Sequence, residues 1–541
     1  MYMDNVVENP SGFPLELYVT TSKPNVSVNV IAPGYPLVVS LTDSLTAGTV
    51  KQFNIPKELR QVETGLERKA ILVEATDDVV VYGVNKELFS NDAFLAYPTD
   101  TLGMEYFTVS YAPPTTNCEF GIVGVVDGTS LEITFPSPSG TPVQVSYGGV
   151  NYGNGDKLTV PSFNRSHTLQ IRSQGDLTGT FIKATNPVAV FSGNVRTAVG
   201  ESESRDHLVE QIPPIRSWGT EFVTVPIPRR TVGDLFRIIA SVNNTAVTIS
   251  GMPEMTIDRG EFVQVNISST MYASIRATRP ILVMQIVYSQ FDPDEPADPA
   301  MITVPPTDQF AQEYSFLTPV YSGGVTGGDY THLFLLAIRE EDRNGLWLDG
   351  QPLNSTHTVN WNRISGTNFV GTWVNVSGGA HTVYHPNATF MGLLYGTADR
   401  ETYGFPVGMR LADIAVNYTT PAVTVTTVTT EAPSTVTACT AALVEISDFN
   451  MALAFAIAVG VNLLTACLLI IATYKWRQAV GENKFEETME IPYRPDSNGT
   501  IGGVGGVTTQ PDPDHIDRNW LMNADDFEGH EKGSYDINSR L

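Results

Sequence analysis

One short segment recurs eight times along the chain, about 50 residues apart, and it constrains the fold more than any other feature. The copies read LYVTTSKPNVSVNV from Leu17, ILVEATDDVVVYG from Ile71, FGIVGVVDGTSLEI from Phe120, FIKATNPVAVFSG from Phe181, RIIASVNNTAVTI from Arg237, SIRATRPILVMQI from Ser274, LLAIREEDRNGLWL from Leu335 and TVYHPNATFMGLLYG from Thr382. In each, Val, Ile, Thr and aromatic residues alternate on both sides of a Gly, Pro, Asn or Asp turn, which is strand chemistry broken by turn chemistry. Helical periodicity is almost absent between Leu15 and Met409. Read as a hairpin followed by two further strands, each copy makes a unit of about four strands, the size of a propeller blade. The expected ectodomain is therefore all-β, with about eight four-stranded antiparallel units in a propeller-like ring.

A second pattern keeps an alternative open. Every other copy leads into PTDTLGMEYF (Pro98 to Phe107), PIRSWGTEFV (Pro214 to Val223) or PTDQFAQEYS (Pro306 to Ser315), so a period of about 100 residues is also present and fits tandem β-sandwich modules. These stretches share a Glu-aromatic pair: Glu105-Tyr106, Glu221-Phe222 and Glu313-Tyr314. Neighbouring strand residues face opposite ways, which predicts the aromatic in the core and the glutamate outside.

Beyond the β region the chain changes character. Met451 to Thr473 runs 23 residues without a charge, long enough as a helix to span a bilayer. Lys475 and Arg477 follow it and Glu445 and Asp448 precede it, so the basic flank is cytoplasmic and the amino-terminal part lies outside the cell. The Thr-rich stretch from Thr419 to Cys439 has the composition of an O-glycosylated stalk. The expected organisation is an ectodomain over residues 1–417, a stalk over 418–448, a transmembrane helix over 449–474 and an acidic, disordered cytoplasmic tail over 475–541. That places the chain in the plasma membrane as a type I single-pass protein in contact with lipid through one helix. MYMDNVVENPSGF lacks the basic and apolar regions of a secretory leader, so the expectation is either a leader ahead of residue 1 or a late signal-anchor in the helix at residue 451, with the acceptor sites, stalk and flanking charges favouring the former. N-glycosylation acceptors occur at Asn25, Asn164, Asn243, Asn266, Asn354, Asn375, Asn387 and Asn417, all ahead of the apolar run.

Partners and chemistry follow from what is present. A net charge of -26 and a pI near 4.6 leave no basic stripe for nucleic acid. Cys439 at the stalk base is a candidate for an intermolecular disulfide dimer, with a free or acylated thiol as the alternative. The terminal Ser539-Arg540-Leu541 has the form of a ligand for a cytosolic PDZ protein. The sequence carries no G-x-S-x-G elbow, HExxH or CxxC pair, so an enzyme is not expected and no cofactor is implied. Arg205, Asp206, His207 and Glu210 bring acid, base and imidazole together and could form an acid/base group, although turn capping and ion pairing explain them as well. Asp292, Asp294, Glu295 and Asp298 crowd four carboxylates into seven positions, a candidate calcium loop or a solvated acidic one.

The stretches from Val81 to Tyr111, FGIVGVVDGTSLEI, VFSGN with Arg205 to Phe222, and DPAMITVPP from Asp298 resemble the amino-terminal domain family of IgGFc-binding protein. The resemblance spans about residues 10 to 410. GESES (Gly200 to Ser204) stands where the family pattern has a cysteine-bearing loop. What the resemblance implies is non-catalytic: recognition of extracellular glycoproteins or microbial surfaces, adhesion, and a place in mucosal or innate defence. Fc binding itself does not follow from it.

Overall fold

The 17-residue strand Phe181–Thr197 runs through one continuous eight-stranded ladder whose two halves have different partners and act as an inner and an outer sheet. Pro187 interrupts it: proline offers no N–H to a ladder, and the register slips between Lys183 and Val188 where the strand bends from one sheet into another. Its antiparallel partner bends with it. Cys118–Gly124 pairs the second half of the long strand and Thr129–Thr134 the first half, both running the same way. The Asp127-Gly128 corner between them therefore carries one strand from sheet to sheet instead of reversing it. Gly128 adopts a φ of 72°, matched by Asn25 at 57° and Asn244 at 55° at the same corner elsewhere. The recurring segments are thus not hairpins. The turn residues that suit a reversal also suit a bulge, and the choice is made by whether the flanks pair with each other or with a third strand.

This computed structural model describes residues 1–5, 14–35, 39–87, 90–112, 114–137, 141–202, 204–289, 298–319, 329–398 and 401–414. They lie in the first of two compact units, Met1–Thr426; the other is Thr427–Leu541. The stalk, the apolar run from Met451 to Thr473, the tail, Cys439, Asn417 and Ser539 to Leu541 fall outside the described residues, among which no helix is long and apolar enough to cross a membrane.

The bent pair generates four repeats, each with an inner and an outer antiparallel sheet. The inner sheets have the same order throughout: Val50–Ile55, Leu15–Thr20, Val80–Glu87, Ser90–Ala96 in repeat 1; Thr168–Ser173, Cys118–Gly124, Phe181–Thr197, Asp206–Gln211 in repeat 2; Phe262–Ile267, Asp234–Ala240, Ser274–Val287, Met301–Thr303 in repeat 3; and Phe369–Val376, Thr331–Arg339, Met391–Ala398, Glu401–Pro406 in repeat 4. The last strand of each inner sheet stands on the axis. Ser90–Ala96 packs against Asp206–Gln211 and Glu401–Pro406, and Met301–Thr303 packs against the same two, so the four strands close a ring. Tyr82 Oη donates to the Val407 carbonyl at 2.8 Å across the closure. The expected four-strand width and ring-like arrangement hold, but eight blades become four two-layered repeats, because only the inner sheet of each reaches the axis.

The Glu-aromatic pairs lock the outer sheets. Tyr106, Phe222 and Tyr314 are buried opposite Ile182, Ile275 and Val383. Glu105 and Glu313 face solvent, and Glu221 pairs with Arg276 at 2.9 Å. Tyr106 Oη accepts the Gly103 N–H at 2.8 Å and donates to the Val188 carbonyl at 2.7 Å, at the bend of the long strand. Tyr314 repeats this latch with Ala311 and Phe390, both at 2.7 Å. Between repeats 2 and 3, buried Arg237 donates through Nη1 to Asp176 at 2.9 Å and through Nε to Gln264 at 2.9 Å.

Candidate functional site

Polar side chains on the four axial strands meet where the repeats converge. Asp92 is fully buried and accepts four backbone N–H groups: Oδ1 from Ala93 at 2.9 Å and Gly404 at 3.4 Å, Oδ2 from Val209 at 3.0 Å and Met301 at 3.4 Å. Each donor belongs to a different repeat. Ala93, Val209 and Met301 stand five residues ahead of Pro98, Pro214 and Pro306, so one carboxyl gathers equivalent backbone positions around the axis. Burial pushes the Asp92 carboxyl well above the usual carboxylate range, opposed by the four N–H donors.

The predicted acid/base group is taken apart by the same geometry. Asp206 Oδ1 accepts the N–H groups of Asn91 at 2.5 Å and His207 at 2.8 Å, and its Oδ2 that of Thr402 at 3.3 Å. Glu210 Oε1 accepts the Thr303 N–H at 2.9 Å. Both carboxylates are fully buried and bind the backbone of other repeats, and burial pushes both well above the usual range. His207 points to the other face of its strand, where Nδ1 lies 3.1 Å from the Val195 carbonyl and Nε2 2.9 Å from Asn85 Nδ2. This network sets the neutral tautomer, with Nδ1–H donating and Nε2 accepting. Arg205 is exposed and stays outside the group. These residues hold repeats together and do not converge on a reacting atom.

Of the acidic stretch, Asp298 is buried on the axis, where it accepts the Ser204 hydroxyl, and its N–H donates to Thr402 Oγ1 at 3.1 Å. Asp292, Asp294 and Glu295 lie outside the described residues. Among the described residues no three acidic, His or Cys side chains are grouped to hold a metal. Cys118 is buried, and burial pushes its thiol up to about 12, leaving it inert at neutral pH. Six acceptor asparagines, Asn25, Asn243, Asn266, Asn354, Asn375 and Asn387, are exposed, and Asn164 is half-buried. A cleft of about 740 Å³ opens between repeats 1 and 2. Val73, Val123 and Phe191 line it, with Glu74, Asp77, Asp78 and Asp100 among its acidic residues and Arg165 as a basic one.

His207 gives the axis a pH signature. Burial lowers its pKa from 6.5 to about 3, so the folded protein keeps the ring neutral while the unfolded chain protonates it. The His207 contribution is complete above 6.5 and is lost as pH falls toward 3, roughly 2 kcal/mol by pH 5. The buried axial carboxyls act oppositely, since raised values favour the folded state on the acid side. His207→Gln is therefore expected to flatten the decline in melting temperature between pH 6.5 and 5. An unchanged decline would contradict this assignment.

Residues 92–396 match the family described as IgGFc binding protein, more than half of the chain. The chain belongs to the IgGFc-binding protein family. The human IgGFc-binding protein is 23% identical over 393 residues, which cover 71% of this chain and 7% of the human protein, so this chain spans only a small part of that relative. A chain from the X-ray structure of the lipid-containing bacteriophage PM2 aligns over 52% of this chain and 84% of its own at 10% identity, and its TM-score of 0.08 carries no structural argument. The IgGFc-binding match begins at Asp92 itself and takes in the three axial carboxylates Asp206, Glu210 and Asp298. Sequence reasoning passed over Asp92 because its partners are backbone groups from three other repeats. The one available signal was the equal spacing of Ala93, Val209 and Met301 from the repeated prolines.

Proposed function

We propose that this chain is a single-pass cell-surface glycoprotein that binds glycoprotein or microbial ligands through its four-repeat β domain. Membership of the IgGFc-binding family carries this reading. The use of the axial acids as backbone acceptors supports a recognition scaffold over an enzyme. The charge-free run from Met451 to Thr473 and its basic flank support anchoring in the plasma membrane with the β domain outside. Exposed acceptor asparagines suit a glycosylated surface. An antibody Fc region is one ligand to try, because the human relative is named for it. The direct test is to immobilise the β domain and challenge it with mucus or body fluid. Recovery of defined glycoproteins, competed by free β domain, supports the reading; a matrix that retains none refutes it.

Topology has its own test. Peptide N-glycosidase is expected to shift the mobility of the mature chain, whereas Asn498, in N-G-T beyond the apolar run, stays unmodified on the cytoplasmic side. Glycan on Asn498 would reverse the orientation. A structural component of the glycocalyx is the second reading, favoured by the Thr-rich stretch ahead of the helix. Deleting residues 475–541, including the PDZ-type Ser539-Arg540-Leu541 end, separates the two. A receptor loses cytosolic partners, and a purely structural glycoprotein is unaffected.

A further inference from the structure

Phe262–Ile267 of repeat 3 and Phe369–Val376 of repeat 4 are the same strand of their inner sheets, and each closes on a glycosylation acceptor: V-N-I-S from Val265 and V-N-V-S from Val374. Alternation puts the residue two positions ahead of each asparagine on the same face of the strand. In repeat 3 that residue is Gln264, whose Oε1 accepts the Nε–H of buried Arg237 at 2.9 Å, and the Asn266 amide donates to the Val232 carbonyl at 3.3 Å. In repeat 4 it is Trp373, half-buried against the core shared with repeat 3. Asn375 is exposed, and its amide has no hydrogen-bond partner among the described residues.

A slot of about 260 Å³ lies beside Trp373 and Asn375. Its local cause is a strand that stops early. Asn362–Arg363 pairs Gly371 and Val370, and the segment ahead of it then stands off from Thr372–Asn375 instead of continuing the ladder. The Asn362–Gly371 pair closes one end, and His357 closes the other by donating through Nε2 to the Asn375 carbonyl at 3.1 Å. Thr358, Asn360 and Asn362, all exposed, line the wall across from the strand. An indole facing amides and a hydroxyl across a gap suits a sugar ring: its C–H face packs on the aromatic while its hydroxyl and acetamido groups exchange hydrogen bonds with the amides. The volume is just below the ~300 Å³ at which ligand pockets begin, which admits a single ring rather than a chain.

We propose that Asn375 carries an N-linked glycan whose first N-acetylglucosamine lies in this slot against the Trp373 indole, covering the unpaired part of the Phe369–Val376 edge, whereas a glycan on Asn266 stands free in solvent. The covalent linkage holds the ring at the mouth of the slot, so a contact too weak to capture a free sugar is enough to seat a tethered one. Gln264 offers no aromatic face at the equivalent place, and Arg237 already occupies its carbonyl. This inference rests on the extracellular glycoprotein reading and adds to it a structural role for one glycan.

The test exposes the full chain, produced through a eukaryotic secretory pathway and kept folded, to peptide N-glycosidase, and follows release at each acceptor by the asparagine-to-aspartate mass change. Release at Asn375 is expected to be about tenfold slower in the parent than in Trp373→Gln, because one aromatic contact is worth about a decade. That substitution installs the residue type found at the equivalent place in repeat 3. Release at Asn266 should be the same in both proteins. Asn360→Ala, an exposed change on the opposite wall, should speed release at Asn375 about threefold, the effect of one lost hydrogen bond. An occupied Asn375 whose release is unchanged in a folded Trp373→Gln, or in Asn360→Ala should the first variant not fold, overturns the proposal. So does an Asn375 left bare while other acceptors are occupied. Bare asparagines at every acceptor would refute the extracellular glycoprotein reading, and this inference with it.

Discussion

Asp92→Ala is expected to prevent the β domain from reaching its folded state. The substitution removes one small side chain but leaves four buried N–H groups, on Ala93, Val209, Met301 and Gly404, without their acceptor. An unsatisfied buried donor costs about 1–3 kcal/mol, so the sum approaches or exceeds the roughly 5–15 kcal/mol that stabilises a typical domain. Asp92→Asn should fall between the two. Its carbonyl oxygen can serve two donors, but its amide turns N–H groups toward the others. Thermal unfolding and yield of folded protein report the effect. A melting temperature within a degree or two of the parent in Asp92→Ala would show that the axis is held by packing alone.

Phe222→Ala should cost about 3–5 kcal/mol, as expected for a buried aromatic whose cavity cannot collapse. Phe222 is 1% exposed and sits opposite Ile275, inside a core that includes Val223, Val247 and Phe310. Its counterparts Tyr106 and Tyr314 occupy the same place opposite Ile182 and Val383, which suits a structural part shared by these three outer sheets. The expected result is a lower melting temperature with reduced surface expression. Normal stability and expression with loss of ligand binding would make Phe222 part of a recognition surface.

These expectations separate what was legible in the sequence from what was not. Strand class and the inward aromatics of the Glu-aromatic pairs follow from period-two alternation, which is local, and the four-strand width from the roughly 50-residue spacing of the repeated segment. The corners at Gly128, Asn25 and Asn244 read locally as reversals, since positive φ is common to a hairpin turn and a sheet-to-sheet bend. Only the partner strands, about 50 residues away in the case of Thr129–Thr134 and Phe181–Thr197, decide between them. Asp206, His207 and Glu210 looked chemical because they are close in sequence, yet alternation puts His207 on the face toward Asn85 and the acids toward the axis. The role of Asp92 emerges only when four repeats are compared in space.

Limited proteolysis with mass mapping tests the central claim, that four repeats form one closed and mutually dependent ring. Closure through Ser90–Ala96, Asp206–Gln211, Met301–Thr303 and Glu401–Pro406 means that removing any repeat exposes the faces of its neighbours and the axial acids together. The account predicts that the β domain resists as one piece spanning residues 14–414, and that once it is cut internally and separated no part remains folded. Release of stable fragments of about 100 residues, the size of an ordinary independent domain, would show tandem modules and contradict it.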